Sequence, residues 1–262
     1  MEIVHLLLDF TLLPVSIAFL FFIAPLVAAM RFASWAYGLF FPEDVRGKVV
    51  IITGASSGIG QEAARVYAQK GARLVLAGRR EEELRRTADM CKLEGAEARV
   101  ALVDVTVAAE CEKLVSDTIA AFGRLDHLFN NAGMAHSFYM EEARNTEVAQ
   151  VMDVNFWGAI YPTFYALPHL RRSQGHIVVT SSVASFIPYP RMAIYNASKV
   201  ALVNFFDTLR VEVGDEVGIT VATLGWTESE MTAGKFVTAE GRVSWDKEQR
   251  DWRPLRGVRL LL

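Results

Sequence analysis

Tyr195 and Lys199 are the residues of this chain whose types and spacing point most directly to chemistry. In the run Tyr-Asn-Ala-Ser-Lys they stand four residues apart, which places both side chains on one face of a helix. A free phenol has a pKa of about 10, and a nearby ammonium favours the phenolate, so this tyrosine could exchange a proton where an alcohol becomes a carbonyl. Ser182 follows an apolar run and could hydrogen-bond the same carbonyl oxygen. Tyr and Lys at this spacing are also common on helix surfaces, so the pair needs a cofactor site beside it.

A glycine-rich turn elsewhere in the chain predicts such a site. A short apolar strand predicted over residues 48–52 runs into Thr-Gly-Ala-Ser-Ser-Gly-Ile-Gly at residues 53–60, and an amphipathic helix is predicted over about residues 61–69. Glycines in such a turn allow the backbone to approach a pyrophosphate, and the helix N-terminus offers it free N–H groups. Taken alone, the same spacing also suits a tight turn with no ligand.

The strand predicted over residues 73–78 ends in Arg79 and Arg80. An acidic residue at this place would accept a hydrogen bond from a ribose 2′-hydroxyl and favour NAD, whereas arginine suits a 2′-phosphate. The alternative is a solvated basic turn that opens a helix over residues 81–94. We favour the phosphate interpretation, which predicts NADP(H).

Two further strands are predicted over residues 98–105 and 125–129, and polar residues stand at the end of each. Asp104 is placed to meet an adenine edge. Asn130 and Asn131 follow the second strand, where open α/β sheets bind ligands, although both could be turn formers only.

Asn155 lies within a predicted long helix, where asparagine is disfavoured by propensity. Either a functional role or a polar bond to a neighbouring strand explains it.

The order of these motifs resembles that of the short-chain dehydrogenase/reductase family, over about residues 46–236. The motifs are the glycine turn, the Asn-Asn-Ala-Gly run, Asn155, Ser182 and the Tyr195–Lys199 pair. The hydrophobic N-terminus and several local runs further resemble the steroleosins, the plant oil-body branch akin to 11β-hydroxysteroid dehydrogenases.

The resemblance implies a Rossmann-like, doubly wound parallel α/β sheet, with six strands expected here. It implies that Tyr195 is the general acid/base, that Lys199 holds the nicotinamide ribose and lowers the tyrosine pKa, that Ser182 orients the carbonyl and that Asn155 holds a proton-relay water. The implied cofactor-binding residues are Gly54, Ser56, Ser57, Gly58, Ile59, Arg79, Arg80, Asp104, Asn131, Tyr195, Lys199 and Thr227. It also implies a homodimer paired through the helices of Asn155 and Tyr195.

Composition narrows the class of protein. A chain of 262 residues suits one α/β domain with an appendage. A formal charge of −3 and a pI of about 6.0 give no electrostatic case for nucleic acid. The two cysteines lie in separate predicted helices without metal-ligand spacing, so we expect reduced thiols and no metal site.

The appendage is a hydrophobic N-terminus, assigned to residues 1–41. No charged residue occurs from Phe10 to Met30, and about twenty apolar residues suffice to span a hydrocarbon core. Acidic residues precede the run and basic residues follow it, which predicts an uncleaved anchor with the catalytic domain in the cytosol. Pro14 and Pro25 leave two alternatives, a kinked transmembrane helix or a segment that bends back within one leaflet. By its resemblance to the steroleosin proline knob, we favour the bend, on a lipid droplet and the endoplasmic reticulum.

A lipid-tethered reductase suits amphiphilic substrates, sterol-like by the resemblance. The candidate pocket residues are apolar: Met134, Phe186, Ile187, Tyr189 and Trp226. The dehydrogenase domain is assigned to residues 42–236, and residues 237–262 form a short divergent tail that resembles a truncation of the family's C-terminus. This leaves two alternatives open: a lipid-droplet surface protein with an impaired cofactor-binding domain, and a reductase of other lipid ketones.

Overall fold

The structure, a computed structural model, describes residues 11–12, 14–40, 43–144 and 146–245. The chain divides into two compact units, Met1–Asp44 and Val45–Leu262. Residues 1–10 of the predicted anchor and residues 246–262 of the predicted tail lie outside the described residues. The predicted division of the second unit at residue 236 stays a prediction.

In the N-terminal unit the chain is helical from Pro14 to Phe40. A π-helical segment, Phe19–Ile23, leads into helix α1, Ala24–Phe40, and the Ala24 N–H donates to the Phe19 carbonyl. Pro25 lacks an N–H, and irregular turns of this kind are common where a proline interrupts the helical ladder. The large apolar side chains of this segment are exposed within the unit. Among the described residues, no helix has both the length and the apolar character needed to cross a membrane.

The second unit is built on one parallel sheet with the strand order β3-β2-β1-β4-β5-β6. This confirms the predicted doubly wound sheet of six strands. The strands are β1 (Val49–Thr53), β2 (Arg73–Gly78), β3 (Ala98–Leu102), β4 (His127–Asn130), β5 (His176–Ser182) and β6 (Gly218–Leu224).

Helices cover both faces of this sheet, as the continuous apolar runs of its central strands require. They are α2 (Gly58–Gln69), α3 (Glu81–Leu93), α4 (Ala108–Phe122), α5 (Gly158–Ser173) and α6 (Ala193–Val213). Alternate side chains of β1 enter the two cores: Val50 and Ile52 pack with α2 and α3, whereas Val49 and Ile51 pack with α4, α5 and α6. The fold is therefore a three-layer α/β/α sandwich.

Two predicted strands have different ends. β3 ends at Leu102, not at Val105, because the Asp104 carboxylate accepts from the Thr106 N–H and hydroxyl and turns the chain away from the sheet. β4 begins at His127, not at Leu125. There the Asp126 carboxylate accepts the Val49 N–H that a ladder carbonyl would otherwise take.

Two helical segments also differ from the predictions. Helix α2 begins at Gly58, three residues before the predicted start, so the last three residues of the glycine turn belong to its first turn. Asn155 lies in a π-helical segment, Asp153–Trp157, that immediately precedes α5. Beyond β6 the chain forms a small antiparallel hairpin of β7, Lys235–Val237, and β8, Val243–Trp245.

Candidate active site

A cleft of about 330 Å³ lies at the carboxyl ends of the parallel strands. It brings together Ser182, Tyr195, Lys199 and every predicted cofactor-binding residue. Of the predicted apolar pocket residues, Met134, Tyr189 and Trp226 line the cleft. Phe186 and Ile187 are exposed and are not part of its lining. The cleft therefore lies at the carboxyl ends of the strands, where the sequence predicted the ligand site.

Tyr195 and Ser182 both line this cleft, where Ser182 is close enough to the phenol to affect its pKa. Ser182 is the last residue of β5, and Tyr195 is in the first turn of α6 with only 8% of its surface exposed. Burial raises the pKa of the phenol, and the interaction with Ser182 lowers it by less. The net direction is opposite to the lowering that the sequence predicted, because burial disfavours the phenolate.

Lys199 is buried on the same helix, one turn after Tyr195. Its ammonium donates to the Thr180 carbonyl at 2.9 Å and lies 5.8 Å from the centroid of the Tyr195 ring. Burial lowers the pKa of Lys199 to about 8. The ammonium thus donates to a strand carbonyl and faces the tyrosine. Its burial disfavours the charged form, because the charge loses its hydration.

Asn155 lies behind the cleft lining, where it is 1% exposed. Its Oδ1 accepts from the Met134 N–H at 2.8 Å, and its Nδ2 donates to the Met134 carbonyl and to the Ser198 hydroxyl, both at 2.9 Å. Asn155 therefore makes polar bonds to the loop after β4 and to helix α6, and not to a neighbouring strand. Gly133 adjoins this group, since a Cβ there would lie 3.2 Å from Asn155 Oδ1 and 3.8 Å from Lys199 Nζ.

The glycine turn has the close backbone packing that a phosphate cradle needs. Gly54 has φ +65°, and a Cβ there would lie 2.8 Å from the Ala132 Cα. A Cβ on Gly60 would lie 2.3 Å from the Gly54 carbonyl oxygen. Asn131 ties the turn to the sheet, because its Nδ2 donates to the Thr53 and Gly54 carbonyls at 3.2 and 3.3 Å.

The two arginines after β2 differ in their surroundings. Arg79 has 60% of its side chain exposed and contacts Asp104 at 3.5 Å. Arg80 donates to the Ser56 and Ser57 hydroxyls and pairs with Glu230. For Asp104, partial burial raises the pKa, but the Thr106 and Arg79 hydrogen bonds together lower it by more. A cation and a carboxylate thus flank the end of β2.

Two further predicted residues lie beneath or beside the cleft. Asn130 is buried beneath it and donates to the Thr163 hydroxyl at 2.8 Å. The Thr227 carbonyl accepts from the Thr232 hydroxyl at 2.8 Å. Sequence reasoning missed Thr180, whose carbonyl holds Lys199 and whose hydroxyl donates to Asn131 Oδ1 at 3.2 Å. Its position as a polar residue ending an apolar run was the available signal. It also missed Glu230, for which no local signal exists.

The cleft fits a dinucleotide. The twelve-residue helix α2 begins in the wall of the cleft, and the glycines there carry no side chain that would cover the backbone at its N-terminus. Asn131 holds the turn in place through its hydrogen bonds. Tyr195, Ser182 and Lys199 lie farther along the same cleft. A bound nicotinamide dinucleotide and a carbonyl compound are the ligand types that this combination of residues suits.

Residues 48–239 match the sequence pattern of the short chain dehydrogenase family, and the chain belongs to that family. Its similar relatives include the 11-beta-hydroxysteroid dehydrogenase of Pinus massoniana, 47% identical over 96% of this chain and 71% of that protein. The 11-beta-hydroxysteroid dehydrogenase B of Sesamum indicum is 45% identical over 96% of this chain and 70% of that protein.

A similar solved structure is a short chain dehydrogenase/reductase from Burkholderia phymatum in complex with NAD. It is 33% identical, with a TM-score of 0.70, and the match covers 82% of this chain and 76% of that one. The family makes this protein an oxidoreductase that is similar to hydroxysteroid dehydrogenases and resembles an NAD-bound relative.

Proposed function

We propose that this protein is an NADP(H)-dependent dehydrogenase that interconverts a hydroxyl and a keto group on a steroid or sterol-like lipid. The observation that carries the proposal is that Tyr195, Ser182 and Lys199 lie together in the cleft that the glycine turn also lines. A proton donor beside a dinucleotide site suits a reaction in which an oxygen gains or loses a proton while its carbon loses or gains a hydride.

In this proposal the Gly54–Gly60 turn and the N-terminus of α2 hold the pyrophosphate, and Asp104 and Asn131 line the adenosine half. Arg79 and Arg80 face the 2′-position of the adenine ribose. When bound, the nicotinamide supplies or accepts the hydride, and the protein supplies position and proton transfer. Arg79 supports the choice of NADP, since its exposed guanidinium has only a 3.5 Å contact to Asp104 and suits a phosphate.

The proton chemistry is assigned to the residues of the cleft. In the direction of reduction, the Tyr195 hydroxyl donates its proton to the carbonyl oxygen while Ser182 donates a hydrogen bond to the same oxygen. The raised pKa keeps Tyr195 protonated before that step. Lys199 faces the ring of Tyr195 and stabilises the phenolate that the step leaves. Asn155 fixes the Met134 backbone at the edge of the cleft. By the resemblance to the family, we also assign the proton-relay water to Asn155.

The substrate class follows from the apolar side chains beside this group. Met134, Tyr189 and Trp226 line the cleft, and Tyr189 contacts Trp226 edge to face with ring centroids 6.5 Å apart. Apolar and aromatic walls with few polar groups suit a flat hydrophobic ligand. The two plant relatives carry the name 11-beta-hydroxysteroid dehydrogenase, which agrees with a steroid-like ligand.

The proposed location is the surface of a lipid droplet and the endoplasmic reticulum, with the catalytic unit in the cytosol. It is supported by the exposed apolar side chains of the N-terminal segment, which include Phe19, Phe21 and Phe22. A surface of this kind would bring the enzyme to substrates that partition into lipid. We also propose a homodimer, by resemblance to the family.

The test is oxidation of NADPH by the purified full chain in detergent with a panel of ketosteroids and long-chain ketones. Tyr195→Phe should lower turnover at least about 100-fold, the usual contribution of a general acid, while NADPH binding is retained. Tyr161→Phe is the matched control, since Tyr161 lies on α5, is partly buried and does not line the cleft. Unchanged turnover in Tyr195→Phe would contradict the assigned proton donor. Binding of NADPH without turnover of any ketone would contradict the reaction.

A further inference from the structure

Arg80 is fully engaged by the protein at the place where a 2′-phosphate is expected. Its Nε and Nη2 donate to the Ser56 hydroxyl at 3.2 and 3.0 Å, and Nη2 also donates to the Ser57 hydroxyl at 2.6 Å. Its Nη1 donates to the two Glu230 carboxylate oxygens at 2.7 and 3.0 Å. All three nitrogens of the guanidinium therefore already have oxygen partners.

Glu230 belongs to a segment far from Arg80 in sequence, after β6. Its carboxylate also accepts from the Lys235 ammonium at 2.8 Å, and its side chain is 32% exposed. Partial burial raises the pKa of Glu230, but the bonds of Arg80 and Lys235 together lower it by more, so the group is charged at neutral pH. The charged carboxylate of Glu230 is therefore paired with Arg80, the arginine expected to bind a 2′-phosphate.

Arg79 gives the contrast. It is 60% exposed, and its contact with Asp104 is 3.5 Å long. Arg79 can turn towards a phosphate at little cost, whereas Arg80 must exchange a carboxylate for it. A phosphate and a carboxylate on one guanidinium repel each other, and both need the same N–H groups.

We propose that Glu230 is a specificity-determining residue for the cofactor: its carboxylate competes with the 2′-phosphate for Arg80 and so reduces the preference for NADP over NAD. The inference rests on the proposed function, because it presumes a dinucleotide in this cleft. It assigns the adenosine end of the site a residue that lies neither in the glycine turn nor at the end of β2.

The experiment compares two probes that differ only in the 2′-phosphate, adenosine 2′,5′-bisphosphate and adenosine 5′-monophosphate. Binding of each is measured by calorimetry to the full chain and to Glu230→Gln. The variant should bind the bisphosphate about five-fold more tightly, the size of a partly exposed ion pair, with the monophosphate unchanged. Glu228→Gln is the matched control, since it removes an exposed carboxylate two residues away and should leave the ratio unchanged.

A second pair of variants separates competition for Arg80 from general repulsion. In an Arg80→Gln background, Glu230→Gln should change the ratio of the two affinities by less than about two-fold, because the shared group is gone. Equal gains in both backgrounds, or no gain in either, would overturn the inference. Glu230→Ala replaces Glu230→Gln if that variant does not fold. Binding of both probes with a ratio independent of Glu230 overturns this inference alone, whereas binding of neither probe to the wild-type chain overturns the proposed function with it.

Discussion

At the scale of single residues, burial moves the pKa values of Tyr195 and Lys199 in opposite directions. The phenol becomes harder to deprotonate, and the ammonium becomes easier to deprotonate, with a pKa of about 8. The partner of Lys199 in the protein is the neutral Thr180 carbonyl. A buried ammonium without a carboxylate partner costs free energy of folding, so this residue is retained at the expense of stability.

The first prediction concerns how the free energy of unfolding depends on pH. In the unfolded chain Lys199 titrates near its ordinary pKa of about 10.4, above the folded value of about 8. Between these values the unfolded state binds more protons, so this group adds stability as pH rises from about 8 to about 10.5. The wild-type chain should therefore gain about 1 to 3 kcal/mol relative to Lys199→Met over that range.

Urea unfolding at pH 7, 8.5 and 10 measures this difference. Lys113→Met is the control, because Lys113 lies on α4 with 73% of its side chain exposed, so folding does not bury its ammonium. A constant difference for Lys199→Met would mean that its ammonium is not buried as the structure places it.

Much of the site could be predicted at this scale, because its motifs are local runs of sequence. Tyr195 and Lys199 are on one helix, and the glycine turn occupies eight consecutive residues. The direction of the shift in the Tyr195 pKa could not be predicted, because it depends on how deeply tertiary packing buries the phenol. The Arg80–Glu230 pair was also beyond reach, because the two residues are 150 positions apart.

At the scale of elements, irregular segments hold the polar groups of the site. The π-helical segment at Asp153–Trp157 contains Asn155, whose amide bonds both the Met134 backbone and Ser198 on α6. Segments of this kind are frequent at functional sites. The hydrophobic pattern predicted a helix here but not its π-helical hydrogen bonds. Hydrophobic periodicity indicates which face of a helix is apolar, but it does not indicate which carbonyl accepts from each N–H. The strand ends were misplaced for a similar reason, because side chains of Asp104 and Asp126 take over backbone bonds.

The second prediction tests the packing of the glycine turn against the first turn of α2. A Cβ on Gly60 would lie 2.3 Å from the Gly54 carbonyl oxygen, so Gly60→Ala must displace backbone. Alanine is the better helix former by up to about 1 kcal/mol, yet we expect net destabilisation of about 1 to 3 kcal/mol and loss of NADPH binding. Thermal unfolding and a fluorescence titration with NADPH measure the two effects.

Gly225→Ala is the control for stability, because nothing lies within 4 Å of a Cβ built on Gly225. It should unfold at nearly the wild-type temperature. If Gly60→Ala were as stable as the control and still bound NADPH, the turn would not be the rigid cradle that we describe.

At the scale of the whole molecule, our proposal makes the N-terminal segment the part of the chain that targets the enzyme to lipid. Pro25 follows a π-helical segment and cannot supply the N–H of a regular helix. Pro14→Leu and Pro25→Leu together restore those donors, and the straightened helix should move the protein from lipid droplets to bilayer membranes. The distribution of a fluorescent fusion between droplets and endoplasmic reticulum measures this shift.

Ala18→Leu with Ala28→Leu is the matched control, since it adds similar apolar bulk to the same segment and leaves both prolines in place. We expect it to stay on droplets. Unaltered droplet targeting of the double proline variant would rule out the bend as the targeting signal.

The long sequence separations across the cleft also have a consequence for folding. The Asn131 N–H reaches Thr53 across 78 residues, and Arg80 reaches Glu230 across 150. Contacts between distant residues form late, because chain entropy must be lost before they can stabilise anything. A chain emerging from the ribosome therefore has no complete dinucleotide site until Lys199 and Thr227, which both line the cleft, have been made. Dinucleotide binding then selects molecules whose parallel sheet has formed, which makes the ligand a reporter of a folded sheet.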